Sequence, residues 1–124
     1  MTENKKRIYD LEERTAIFGQ DIISLCKSMK VNNISGPLIN QIIRSGTSIG
    51  ANYMEANAAS SKKDFINKIS ICKKECQETK HWLRMLDFYD SQLALMHELK
   101  QECGELILIF GRIISSSRSK KLEN

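Results

Sequence analysis

Between Arg44 and Ala56 the chain reads RSGTSIGANYMEA, a stretch crowded with Gly, Ser, Thr and Ala and nearly free of charge. Apolar residues before and within it recur at helical spacing: Ile39, Ile42, Gly46, Ile49, Tyr53 and Ala56. Ile43, Gly50 and Met54 form a second stripe beside the first. Gly46 and Gly50 should each cost about 1 kcal/mol against alanine in an exposed helix. Small residues at this spacing make sense where another helix backbone comes close. The segment is therefore expected to be packed on more than one side, which points to a bundle of helices.

The rest of the chain agrees with that expectation. It has one proline, Pro37, and six glycines in 124 residues, too few breakers for a many-turned β fold. Three further helices separate at polar joints. The first is expected from about Asp10 to Met29, with Leu11, Thr15, Phe18, Ile22, Leu25 and Met29 on its apolar stripe. The second, carrying the small residues, is expected to start near Ser35 as cap and Pro37 in its first turn, and to run to about Ala59. Ser61, three residues before Asp64, should cap a third helix ending near Tyr89. Its stripe reads Phe65, Ile69, Cys72, Cys76, Thr79, Leu83 and Leu86, widened by Trp82, Met85 and Tyr89. The fourth is expected from about Ser91 to Ser116 on Met96, Leu99, Cys103, Leu106, Phe110 and Ile113. The β-branched run LILIFGRII could be read as a strand, but no second strand candidate exists to pair with it.

Short joints make consecutive helices antiparallel neighbours, so the predicted fold is all-α: one up-down-up-down four-helix bundle spanning the chain, with short flexible ends at about 1–8 and 117–124. The second and fourth helices carry more apolar surface than a lone bundle needs, which suggests self-association into a closed ring or dimer.

The net charge of +4 permits contact with nucleic acid without requiring it. Laid out on the bundle, the charges separate by end. Lys62, Lys63 and Lys68 begin the third helix, while Arg112, Arg118, Lys120 and Lys121 end the fourth, and both regions share one end with Lys5, Lys6 and Arg7. Asp87, Asp90 and Glu98 lie at the other, where Lys27 and Lys30 dilute them, with Glu102 and Glu105 further along the fourth helix. Subunits aligned in parallel would multiply the basic end into a face that attracts phosphate backbones without reading sequence. Aromatics are not interleaved with these lysines, which argues against base-stacking recognition of single strands.

Catalytic patterns are weak. Glu78 and His81 give one Glu-x-x-His pair of the two that a carboxylate-bridged di-metal site needs; the other histidine, His97, follows Ala94. Cys72 and Cys76 lie one turn apart and could join Cys26 and Cys103 as zinc thiolates, yet all four sit on core stripes and read as reduced, space-filling thiols. GTSIG lacks the lysine of a phosphate loop. No enzyme activity, metal or cofactor is expected. MTENKKRIYDLEER carries no apolar run behind its charges, and LILIF falls far short of the ~20 residues of a membrane span. A cytoplasmic protein with no membrane partner is expected. Arg44 and Glu55, the main charges of the second helix, lie eleven residues apart on one face. With Gly46, Ser48, Gly50 and Asn52 they are candidate oligomer or inter-helix contacts, Arg44 and Glu55 pairing with groups such as Glu75, Glu78 or Lys73.

RSGTSIGANYMEA followed by SKKDFINKISICKKECQETKHWLRML resembles the four-helix-bundle proteins first known from intervening sequences inside bacterial 23S ribosomal RNA genes. Arg44, Ser45, Ser48, Asn52, Glu55, Asp64, Phe65, Lys68, Glu75, Glu78, Trp82 and Leu83 fall on the family pattern; Cys72 and Cys76 stand where alanines are expected. The resemblance implies a cytoplasmic bacterial protein that assembles as a ring, commonly a pentamer. A related branch assists the reverse transcriptase of diversity-generating retroelements, where a basic ring is associated with nucleic-acid binding. It implies no catalytic residues. The function expected on these grounds is a non-catalytic homo-oligomer that binds RNA or DNA through its basic end. The alternative is a scaffold for a protein partner.

Overall fold

The computed structural model describes residues 10–123, with side chains through Ser119. Four helices follow one another: α1 (Leu11–Lys27), α2 (Ser35–Asn57), α3 (Lys62–Tyr89) and α4 (Met96–Glu123). Each packs against the next, and a much shorter contact between α1 and α4 closes the antiparallel four-helix bundle. No strand occurs among the described residues, and LILIFGRII lies inside α4. No helix of the described chain is long and apolar enough to cross a membrane.

The core runs the length of the bundle through Phe18, Ile22, Ile42, Ile49, Ile69, Leu83, Leu106 and Phe110, all nearly inaccessible. Each such side chain contributes about 1.5–3 kcal/mol relative to exposure. Where α1 crosses α2, a Cβ added to Gly19 would meet the Gly46 carbonyl oxygen and the Thr47 Cα at 3.6 Å. A Cβ on Gly46 would lie 2.9 Å from Ile22 Cγ1, and one on Gly50 would lie 3.2 Å from Thr15 Oγ1. The small residues of α2 thus admit α1 on one side. On the other, the Ser45 and Thr79 hydroxyls hydrogen-bond at 2.9 Å between α2 and α3, and the Cys72 thiol donates to the Ile49 carbonyl at 3.6 Å.

Several details differ from the sequence-based expectation. Ser35 does not cap α2; it is its first helical residue and fully buried. Capping passes to Asn32, whose Oδ1 accepts from the amides of Ile34 and Ser35, both at 2.9 Å. The Ser35 hydroxyl donates instead to the Lys30 carbonyl and accepts from the Asn32 amide, pinning the α1–α2 connection. Ile66 rather than Phe65, and Ile114 rather than Ile113, take the deeper core positions. At 3.6 residues per turn a stripe of fours and threes drifts, and neighbouring positions exchange at its ends.

α4 starts at Met96 rather than Ser91 because residues 91–95 form turns. The Asp90 carboxylate accepts from the Gln92 amide at 3.0 Å, and Leu95 adopts a left-handed φ of 69°. That conformation costs a non-glycine residue about 1 kcal/mol. At its far end α4 continues as helix to Glu123, past the expected stop at Ser116. The expected flexible end at 1–8 lies outside the described residues. Ser61 caps α3, accepting from the Asp64 amide at 3.0 Å, and Asp10 caps α1, accepting from the Glu13 amide at 3.1 Å.

Candidate nucleic-acid interface

The antiparallel register of α3 and α4 is fixed at three levels. The Cys103 thiol donates to the Cys76 carbonyl at 3.1 Å, Lys100 pairs with Asp87, and the Lys73 ammonium reaches over Gly111. This register carries the last turns of α4 alongside the first turn of α3. Lys62 and Lys63 are exposed there, in a helical first turn whose dipole disfavours cations. Their placement is not explained by helix stability; Asp64, the capping partner of Ser61, offsets it.

Arg112 and Arg118 are exposed on α4 at the same end. Lys120 and Lys121 continue the α4 helix, their side chains outside the described residues, as are Lys5, Lys6 and Arg7 altogether. Lys68 is not free: it binds the Glu55 carboxylate at 2.8 Å, and that hydrogen bond and charge raise its pKa. Lys73, expected as a partner for the α2 charges, lies on this seam instead, and Glu55 pairs with Lys68. Gly111, lacking a side chain, leaves room for its half-buried ammonium to cross the α3–α4 seam, one residue from Arg112. The approach of Lys73 to Gly111 depends on the pairing of two helices, so neither helix alone signals it.

The face of α2 behaves differently. Arg44 pairs with Glu75 at 3.4 Å and with Glu78, whose other contact is the Trp82 indole N–H at 3.2 Å. His81 packs edge-on against the Trp82 ring at 4.9 Å. Glu55 meets Lys68. Ser48 and Asn52 hydrogen-bond their own helix, to the carbonyls of Arg44 and Ser48. Gly46 and Gly50 face α1 within the chain.

One buried charge cluster escaped the sequence reading. Arg14 is 5% exposed, and its guanidinium donates to Glu102 at 2.6 and 2.8 Å and to Glu105 at 2.6 Å. The hydrogen bond to Glu102 holds its pKa above the ordinary value against the opposing effect of burial. The signal was present in the spacing, since position 14 lies on the same helical face as Leu11, Thr15 and Phe18. Beside it a cleft of 410 Å³ opens between α1 and α4, with Phe18, Leu95 and Leu99 in its walls and Asp21, Glu98, Glu102 and Glu105 around it. Its carboxylates would repel phosphate, so this concavity is no place for a nucleic-acid backbone.

The thiols are similarly unsuited to chemistry. All four are free and buried. Burial pushes Cys26 up to about 11 and Cys72 and Cys103 up to about 12, and raises Cys76 as well. Thiolate, the reactive form, is therefore scarce at neutral pH. Among the described residues no three His, Cys, Asp or Glu side chains converge so as to hold a metal ion.

The sequence profile described as 23S rRNA-intervening sequence protein matches residues 9–110. The chain belongs to that family. A crystal structure of a protein of unknown function from the S23 ribosomal protein family of Bacteroides thetaiotaomicron VPI-5482 is similar over the bundle. It shares 34% identity at a TM-score of 0.73, covering 83% of this chain and 96% of that one. No curated protein matches the chain. Membership of the 23S rRNA-intervening sequence family accounts for the fold and names no reaction.

Proposed function

We propose that this family member is a non-catalytic cytoplasmic bacterial protein whose aligned copies form a ring, a pentamer, and that the ring holds nucleic acid on its basic end without reading sequence. The placement that supports this reading is the exposed Lys62 and Lys63 in the first turn of α3 alongside Arg118 near the end of α4, with Arg112 and Lys73 about two and three turns further in along the same α3–α4 seam. Each cation set on a phosphate releases counterions, so affinity falls steeply with salt. Repetition of the cluster around a ring gives avidity that one weak patch lacks. A non-catalytic role is supported by the buried thiols and by Glu78 being engaged with both Arg44 and Trp82.

The test is a binding titration of the nuclease-treated protein with a generic RNA and a generic duplex DNA at rising salt. A slope corresponding to several phosphates, similar for unrelated sequences, is expected. The exposed variant Lys62→Glu/Lys63→Glu/Arg112→Glu should flatten that slope while preserving helix content. Affinity indifferent to salt, or to the three reversals, would refute the reading.

A further inference from the structure

The end opposite the basic cluster is formed by the α1–α2 connection and the α3–α4 connection, and among its polar turn residues it exposes several large apolar side chains. Phe88 is 92% exposed, Val31 71% and Ile34 66%, with Tyr89 and Leu95 partly exposed beside them. The two connections are joined, since the Asn32 side-chain amide donates to the Tyr89 hydroxyl at 2.9 Å. Leu95 holds its left-handed backbone in this same region. Exposed large apolar side chains gathered at one end of a bundle mark a contact surface rather than ordinary scatter.

The charges around these residues divide in two. The α1–α2 side carries Lys27 and Lys30, both exposed. The α3–α4 side carries the exposed Arg84 one turn below Phe88, Asp87 paired with Lys100, and Asp90, whose carboxylate accepts from a turn amide and meets no cation among the described residues. Glu98 stands behind them on α4, at the edge of the cleft. This end thus has one half where exposed Lys27 and Lys30 flank Val31 and Ile34, and another where the carboxylate of Asp90 lies beside Phe88, Tyr89 and Leu95 at its outer rim. A two-fold axis laid between the halves sets each against its opposite on a second copy, which is the self-complementarity that an isologous contact requires.

From this juxtaposition we infer that the apolar end is a docking surface for the same end of a second copy of this chain, Phe88 and Ile34 packing across the axis and Lys30 facing Asp90 of the other copy. The contact is separate from nucleic-acid binding and does not depend on it. Where copies also align in a ring, two rings join back to back and both basic faces point outward, so that one assembly can hold two nucleic-acid segments.

Light scattering on nuclease-treated protein at low salt tests the contact directly. The parent should give an even-numbered mass. Phe88→Asp and, separately, Ile34→Asp should each halve it without lowering helix content or the melting temperature. Lys30→Asp and Asp90→Lys place like charges across the axis and should each halve the mass alone. Mixed in equal amounts, these two variants should recover the parental mass, because every cross-axis pair is again opposite. A parental mass unmoved by Phe88→Asp and Ile34→Asp overturns the inference, as does a mixture of the charge variants that stays at half mass. Lys62→Glu/Lys63→Glu, which touches only the basic end, should weaken RNA binding and leave the even-numbered mass intact; this separates failure of the docking contact from failure of the nucleic-acid reading.

Discussion

Helix α1 meets its two neighbours by opposite means. Against α2 it closes to backbone distance: Gly19 lies over Gly46 and Thr47, Ile22 fills the space at Gly46, and Thr15 fills that at Gly50. Against α4 it makes a shorter contact, a buried arginine clamped by Glu102 and Glu105 with a cleft alongside. The first seam is close-packed and shape-determined. The second is polar and leaves volume unfilled. Close packing loses stability when anything is added, whereas an ionic clamp loses it when a partner is removed.

The largest expected effect falls on the close-packed seam. Gly46→Leu drives a side chain into Ile22, which is fully buried and β-branched and so has little freedom to move. A loss of about 3 kcal/mol is expected, read as a lower midpoint in urea with an unchanged slope. Gly46→Ala should still destabilise, because the clash at 2.9 Å outweighs the gain of about 1 kcal/mol in helix propensity. A Gly46→Leu variant as stable as the parent would mean that α1 does not approach α2 as described.

On the polar seam, Arg14→Ala should cost about 2 kcal/mol, below the usual range for a broken buried pair because Glu105 is half exposed and stays hydrated. The combined variant Arg14→Met/Glu102→Leu should regain most of that loss, since apolar packing can replace a buried ion pair. If the double variant is as poor as Arg14→Ala alone, the seam depends on charge specifically and the contrast with α2 is sharper than packing implies. Chemical denaturation of the three proteins decides this.

These two seams were not equally legible in the sequence. The helices, their order and the glycine-bearing stripe of α2 follow from periodicity, because one face of a helix must be apolar and the spacing is local. The cap at Ser61 is local too. Arg14 was missed because a charge on a core stripe violates the pattern used to find the core, and its partners lie 88 and 91 residues away. Lys73 reads from the sequence as a partner for the α2 charges for a related reason, since its actual position depends on Gly111 of another helix. Ser35 looked like a cap by residue type, but an asparagine three residues earlier offers two acceptor geometries in one turn and takes the role. Arg14 and Lys73 depend on pairings between distant segments, which no window on one helix contains, whereas the Asn32 cap is local and turns on which of two capping residue types takes the role.

The thiols extend the contrast to accessibility. Burial raises every cysteine, so the neutral form is favoured by folding. Their contribution is complete below the ordinary thiol value of 9.0 and is lost as pH rises from there through about 11 for Cys26 and about 12 for Cys72 and Cys103. Stability should therefore decline above about pH 9. At pH 8 a thiol reagent should modify Cys26 first, near the end of α1, and reach the other three only at the rate of unfolding. Prompt modification of Cys72 or Cys103 in the native protein would show that the interior behind α3 opens without global unfolding.

The smallest effect has the opposite sign. Gly104 lies on α4 at the level of the Arg14 cluster, beside Glu105, and a Cβ there would meet nothing within 4 Å. Gly104→Ala should therefore stabilise the protein by about 0.5–1 kcal/mol, the helix-propensity difference with no clash to set against it. Paired with Gly46→Ala, the substitution isolates packing as the deciding variable: the same methyl group enters a helical glycine in both cases, and only the neighbour differs. Thermal melts should move in opposite directions, by a few degrees each. If Gly104→Ala destabilises instead, the α4 surface at this level is covered by something outside a single described chain, and the mass of the assembly in solution should fall with the melting temperature.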